Sequence, residues 1–441
     1  MYNSNDTITA IATPLGLGAI GIIRISGKDT LDVVGKIFHS SQIGELEMAV
    51  PNHMYVGTIE TDRITEQCML AFFKAPLSYT GENMIELFCH GGVRMLECIL
   101  QSLIEKGARL ATGGEFTRRA FLNGKMALAD AEGIIDIINA ESESAINSAY
   151  RLLSGKLSLE IGKLRDKLLE AISGLEVSLD YPDEMEEDTR AIAIVIIPEI
   201  IDRLKMLLDS SDIGQVIKHG INVAIVGAPN VGKSSLVNAI LGSDRVIVSD
   251  IAGTTRDTVS ESIVAFGYKI NFVDTAGIRN DSKDTVEQMG IERSLKAIEG
   301  ADIIINVIDS VTSETISYEF DSKKIITVYN KSDLKPAPLK ERGISALKGK
   351  GIKELVKAIV DKATYGQIKM SGEVLTNTRH IEAIRNAYEL LSRAKDEFQI
   401  APTDCIVIDM RAAYNSLGEI DGLTASEKII DDIFSRFCVG K

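Results

Sequence analysis

The segment GAPNVGKSS, residues 227–235, constrains what this chain can fold into more than any other stretch. It follows the apolar run INVAIVG and precedes a helical pattern that opens at Lys233, the strand–loop–helix context of a phosphate-binding P-loop. Gly227 and Gly232 let the backbone turn so that its N–H groups face phosphates. Lys233 is expected to reach the β- and γ-phosphates, and the Ser234 hydroxyl to ligate Mg2+. The runs INVAIVG, ESIVAFG, YKINFVD, ADIIINVID and KKIITVYN read as strands, with helices starting near Lys233, Val286 and Ile352. Strand and helix in alternation predict a mainly parallel, doubly wound sheet. The tight FGYK connection adds one hairpin and hence one antiparallel edge.

Later segments turn a generic nucleotide site into a guanine site. NFVDTAG ends a strand with Asp274, placed to hold Mg2+ through water, followed by Thr275, Ala276 and Gly277, whose N–H can sense the γ-phosphate. VYNKSD ends another with Asn330, Lys331 and Asp333, and a carboxylate there accepts bonds from the two guanine N–H groups, which adenine lacks. ISALKGKG offers Ser345 and Ala346 as a loop over the base. In order and spacing these segments resemble the signature motifs of the Ras-like GTPase superfamily. The remaining motif is DIAGTTRDT, with Thr255 as the switch hydroxyl on Mg2+. The expected nucleotide contacts are Asn230, Val231, Gly232, Lys233, Ser234 and Ser235, then Ser249, Asp250, Ile251, Thr254 and Thr255, with the residues just named. Ile278 stands where Ras-type enzymes have a water-positioning glutamine. The Asn230 side chain, the Thr254 hydroxyl and the carbonyls of Ser249 and Ile251 are able to cage K+ beside the phosphates and supply the missing charge. The alternative is that Asn230 only shapes the loop.

Outside this α/β region the periodicity changes. Residues 1–120 mix short β-like runs (AIGIIRIS, MLAFFKAP, MIELFCHGG) with the helical stretch VRMLECILQSLIEKGAR, which reads as a compact α+β domain. Residues 121–218 are helical in pattern, with acidic YPDEMEED read as a solvated loop, and helices return over 367–441. The economical organisation is an α/β G domain, 219–366, inserted into a helical domain whose halves flank it. At 441 residues the chain is long enough for these several cores. Five cysteines without a CxxC pair argue for reduced thiols. With no secretory leader and no apolar run long enough to span a membrane, the expected location is the cytoplasm. A net charge of −15 makes any RNA contact local, or shared with a second protein.

Taken together, DTITAIATPLGLGAIGIIRISG, YTGENMIELFCHGG, GEFTRRAFLNGKMALADAEG, DIAGTTRDT and the terminal FCVGK resemble the MnmE (TrmE) family of tRNA-modification GTPases over essentially the whole chain. The resemblance implies a homodimer formed through the N-terminal domain. It implies a flavoprotein partner of the MnmG type, carrying FAD and forming a heterotetramer. It also implies addition of an aminomethyl-type (carboxymethylaminomethyl-like) group at carbon 5 of the wobble uridine of tRNA. A tetrahydrofolate derivative bound to the N-terminal domain would supply the one-carbon unit. The implied folate contacts are Arg24, Glu82, Lys125 and Lys441; the implied catalytic residues are Glu287, Arg256, Asp257 and Cys438. Regulatory GTPases of the Era and Der type share the G motifs, but leave the first 120 residues and the terminal cysteine unaccounted for.

Cys438 lies fourth from the end, as in a prenylation box, yet Val439, Gly440 and Lys441 match such a box poorly. The preceding helix, with Thr424 and Glu427 as an expected capping box and Ile429, Ile430, Ile433, Phe434 and Phe437 as its apolar face, suits delivery of the thiol to a fixed place. Cys438 is therefore expected to work in the modification chemistry.

Overall fold

The computed structural model describes residues 6–180, 182–242, 261–273, 299–314, 323–366, 373–398 and 400–441, with backbone alone at 180 and 182–189. The chain separates into two compact units, one of residues 1–135, 152–162 and 418–441, the other of 136–151 and 163–417.

The first unit is built on a seven-stranded sheet of β1 (Ile8–Ile11), β2 (Ile20–Ser26), β3 (Phe38–His39), β4 (Met54–Glu60), β5 (Thr65–Phe73), β6 (Met84–His90) and β7 (Arg109–Leu110), in the order β3-β4-β5-β6-β2-β1-β7. All pairs are antiparallel except β1 with β7. Alternation decides its faces. Ile23, Ile25, Leu70, Phe72, Ile85 and Leu87 point to one side, where they pack with Val33 and Val34 of α1 (Thr30–Gly35) and Leu96, Ile99 and Leu103 of α2 (Val93–Glu105). Helix α2 carries those three residues at helical spacing, which is why it lies on the sheet.

On the far side of β1, Ile8 and Ala10 pack against Ala111 and Phe116, the latter on α3 (Glu115–Leu122). Next comes α4 (Leu128–Ile138), followed by α5 (Glu143–Leu153), α6 (Lys156–Asp180), α7 (Pro182–Asp209) and α8 (Ser211–His219). The acidic stretch expected to be a loop is instead the start of α7: Pro182 occupies the first helical position and acidic residues fill the first turn, both favourable at a helix N-terminus.

The second unit contains a six-stranded sheet of β8 (Ile221–Val226), β9 (Glu261–Ala265), β10 (Tyr268–Val273), β11 (Ile303–Asp309), β12 (Ile325–Asn330) and β13 (Arg342–Gly343), in the order β13-β12-β11-β8-β10-β9. Every pair is parallel except the β9–β10 hairpin. Helix α9 (Lys233–Leu241) and α10 (Ile352–Ala363) cover it with Leu236, Ile240, Leu355, Ile359 and Val360 over Val223, Ile270, Ile305 and Val328. Helix α11 (Thr378–Glu397) runs against α7, and α12 (Thr403–Asp421) follows, tied to it by Arg393 and Asp409. No described helix is long and apolar enough to cross a membrane.

The last helix, α13 (Glu427–Ser435), returns to the first unit. Its cap is Ser426, whose hydroxyl accepts from the Ile429 N–H at 3.4 Å; Thr424 lies two residues too early for that bond, and Glu427 is the first helical residue. Ile433, Phe434 and Phe437 pack on Leu128, Ala131 and Ile134. The Phe434 and Phe437 rings stack with centroids 5.6 Å apart.

A partly buried ion network ties the ends of the first unit's strands. Arg109 holds Glu115 with two bonds of 2.6 and 3.1 Å and reaches Asp6 at 2.7 Å. Arg119, 2% exposed, bonds Asp6, Glu82 and Glu115. Burial pushes the Glu115 carboxyl up, but Arg109 and the Thr112 N–H outweigh it and hold it below its ordinary value of 4.5. A carboxyl depressed by folding stabilises above its unfolded value, and that stabilisation is lost as pH falls through the folded one. Glu115→Gln therefore leaves two guanidinium groups short of a counter-charge, one of them buried. It should cost about 3 kcal/mol in urea unfolding. The deficit should be largest above pH 4.5 and narrow as the pH falls below it.

Candidate functional site

The P-loop joins β8 to α9 as its sequence requires. Gly232 has φ +94° and a Cβ there would sit 2.4 Å from Asn330 Nδ2, so only glycine fits. The Lys233 ammonium donates to the carbonyls of Gly227 at 2.8 Å and Ala228 at 2.9 Å, and burial pushes its pKa below the ordinary lysine value. Ser234, half-buried, stands in the first turn of α9, where N–H groups and the helix dipole favour anions. Val231 is buried and contributes backbone; Asn230 and Ser235 are exposed, and Asn230 adopts φ +63°.

The end of β12 is bonded to this loop. Asn330, 3% exposed, donates through Nδ2 to the Val231 carbonyl at 2.9 Å and accepts through Oδ1 from the Ala346 N–H at 3.0 Å. One side chain thus joins the P-loop to the Ser345-Ala346 loop. Lys331 donates to the Asn230 carbonyl at 3.1 Å. The Ser345 hydroxyl beside Asp333 holds that carboxyl below the usual aspartate range, so it is an anion at neutral pH, an acceptor for N–H donors. Asn230, Val231, Gly232, Lys331, Asn330, Asp333, Ser345 and Ala346 therefore meet in one place. Ser249, Asp250, Ile251, Thr254, Thr255, Arg256, Asp257, Asp274, Thr275, Ala276, Gly277 and Glu287 lie outside the described residues.

In the first unit, the outer face of β2 and β6 carries a second cluster. Arg24 bonds Glu86 at 2.7 and 2.9 Å, donates through Nη1 to the Gly440 carbonyl at 3.1 Å, and lies over the rings of Tyr79 and Phe116. Two residues along β2, Ser26 donates to Glu82 at 2.8 Å, and Arg119 holds the same carboxylate at 3.0 Å. Lys125 donates to the Pro76 carbonyl, with its stem 3.4 Å from the position of a Gly81 Cβ. The C-terminal residues are laid onto this cluster. Val439 bridges Gly113, the Cys438 carbonyl accepts from the Gly114 N–H at 3.3 Å, and the Lys441 carbonyl from the Phe116 N–H at 3.2 Å. Cys438 itself is exposed. Arg24 thus touches the tail that ends in Lys441, while Glu82 and Lys125 bond to Ser26, Arg119 and Pro76 and not to Arg24 or Lys441. Glu86 and Arg119 were not singled out in the sequence, since their roles arise from pairings 62 and 37 residues apart.

A P-loop between a parallel strand and a helix, bonded to an Asn-Lys-x-Asp loop, defines a P-loop nucleotide-binding protein, here with an N-terminal α+β domain attached. The sequence model of the MnmE helical domain matches residues 128–438, and that of the GTP-binding protein TrmE N-terminus matches 7–125. The tRNA modification GTPase MnmE of Clostridioides difficile (strain 630) is 40% identical over 99% of both chains, and that of Bacillus thuringiensis subsp. konkukian (strain 97-27) 38% identical over the same shares. The solved G domain of the T. maritima FeoB iron transporter is 27% identical over 32% of this chain and 98% of its own, at a TM-score of 0.23 that is too low to bear on the fold. The chain belongs to the MnmE family of tRNA modification GTPases.

Gly440 is the tightest point of the docked tail: φ is +98° and a Cβ would lie 2.4 Å from the Ile11 carbonyl oxygen. Gly440→Ala should lift the tail, and amide exchange at Gly114 and Phe116 should accelerate at least about tenfold as their bonds are lost. Unchanged protection there would mean the tail is not held by that fit.

Proposed function

We propose that this chain is a K+-stimulated GTPase that modifies carbon 5 of the wobble uridine in certain tRNAs. In this reading it acts in the cytoplasm as a homodimer with a flavoprotein of the MnmG type that carries FAD. The domains are taken as 1–120 for folate binding and dimerisation, 121–218 and 367–441 for the helical domain, and 219–366 for the G domain. The support is family membership over 99% of the chain, which includes the first 120 residues that a regulatory GTPase of the Era or Der type leaves unexplained.

In the nucleotide site, Lys233 and the N-terminus of α9 would hold the phosphates, Asp333 the guanine N–H pair, and Ser234 with Thr255 and Asp274 the Mg2+. Asn230, Ser249, Ile251 and Thr254 would hold K+, with Glu287, Arg256 and Asp257 acting on the hydrolytic step. The fit at the described residues is chemical: a cationic loop for an anion and an ionised carboxylate for two donors.

The observation that carries the modification role is the bond to the Gly440 carbonyl from Arg24, whose guanidinium lies over two aromatic rings, so that the Cys438 segment is tied to that cluster. A folate has carboxylates that suit Arg24, Lys125 and Lys441, and a pterin whose N–H groups suit Glu82. When bound it supplies the one-carbon unit. The chain's own part is to orient it and to present the Cys438 thiol to the uridine.

Two experiments test this reading. Cys438→Ser should abolish modified uridine in tRNA while leaving the GTPase rate within about twofold, because the thiol lies in the unit that lacks the P-loop. Retained modification would dismiss a catalytic thiol. Hydrolysis should be faster in K+ than in Na+ at equal ionic strength, since a carbonyl cage matched to one cation fits the smaller one poorly. Asn230→Ala should remove the difference, and equal rates in the two salts for the unaltered protein would rule out the cage.

A further inference from the structure

Asp309 ends β11 directly opposite Asn330 on β12 and is 5% exposed. Its Oδ2 accepts from the Lys331 ammonium at 2.6 Å, while its Oδ1 accepts from the Val311 N–H at 2.8 Å. The same ammonium donates to the Asn230 carbonyl. Lys331 is therefore stretched between a fixed anion at the end of one strand and a P-loop carbonyl. Both Lys331 and Asn230 have φ +63°, a conformation a non-glycine residue keeps only where its surroundings hold it. Burial raises the Asp309 carboxyl, but Lys331 more than offsets that and keeps it below the usual range.

We propose that Asp309 is a positioning residue for guanine-nucleotide binding: it extends Lys331 across the base side of the pocket and, through Lys331, holds the Asn230 turn of the P-loop. The inference rests on reading Asp333 and Lys331 as base-binding. A free lysine side chain would have to lose its rotamer freedom each time nucleotide bound, whereas one already held by a carboxylate does not. Asp309 reaches the P-loop only through Lys331 and the Asn230 carbonyl, so its first effect is on affinity, and any effect on hydrolysis passes through the Asn230 turn.

The test is Asp309→Asn, which has the same shape and keeps an acceptor for the Val311 N–H while removing the charge that holds Lys331. It should raise the Kd for GDP and the KM for GTP about tenfold, the scale of one charge-assisted hydrogen bond, with kcat changed much less than KM. Lys331→Met should weaken both at least as much, and adding Asp309→Asn to it should change nothing further. An unchanged KM in Asp309→Asn, or effects that multiply in the double variant, would overturn the proposal and leave Asp309 as a turn cap. Asp333→Asn separates this from the underlying reading. If it weakens GTP while Asp309→Asn does not, the positioning role alone fails. If it leaves GTP affinity unchanged, the base site has been misassigned and the positioning role goes with it.

Discussion

The seating of Phe434 and Phe437 between α3 and α4 is the interaction on which the candidate modification site depends. Each ring buries enough apolar surface to contribute roughly 2 kcal/mol, and neither Cys438 nor Lys441 has an anchor of comparable size. The chain after Phe437 is therefore directed by an apolar contact made before it. Gly113 and Gly114 then let it pass: a Cβ at either would fall 2.8 Å from the Phe437 carbonyl oxygen or 2.5 Å from that of Phe434. Hydrogen bonds finish the placement but do not drive it, since each exchanges a water bond for a protein bond at modest net gain.

The nucleotide site rests on a different kind of constraint. Asn330 is a single amide whose two ends are spent on two loops, and its burial makes both bonds obligatory. Water cannot substitute for either partner, so the P-loop and the Ser345-Ala346 loop cannot separate without orphaning a polar atom. Lys331 adds a second tie to Asn230, through a charge. The P-loop and the loops proposed to hold the base are thus mechanically one object, although the sequence segments lie about a hundred residues apart.

What the sequence made legible follows the range of the forces involved. The P-loop and the apolar stripe of α13 are readable because each is fixed by neighbours a few residues away, and the parallel sheet with its single hairpin because alternating strands and helices leave few other arrangements. The cap of α13 lies two residues beyond the expected one: TASE offers two hydroxyls in the right chemistry, and only the folded backbone decides that Ser426 faces the Ile429 N–H. The acidic start of α7 resembles a loop in sequence because charge runs usually are loops, although Pro182 signals a first turn. Arg119, Glu86 and Asp309 were invisible for a stronger reason. Each is an ordinary charged residue in sequence and becomes special only when strands distant along the chain are brought into register.

Those three residues also show how an acidic chain pairs its carboxylates at the candidate sites. The net charge of −15 would repel a nucleotide or a folate at long range. At short range several carboxylates near the candidate sites are already occupied: Glu86 by Arg24, Glu82 and Asp6 by Arg119, Asp309 by Lys331. A paired carboxylate repels an incoming anion less than a free one and leaves its cation fixed in direction. Occupied acids therefore set the aim of the neighbouring guanidinium or ammonium instead of cancelling it. The same device serves both units, a buried or half-buried acid behind and a basic group in front. It lets an acidic surface, which favours solubility, coexist with local positive sites whose geometry does not have to be organised anew when ligand arrives.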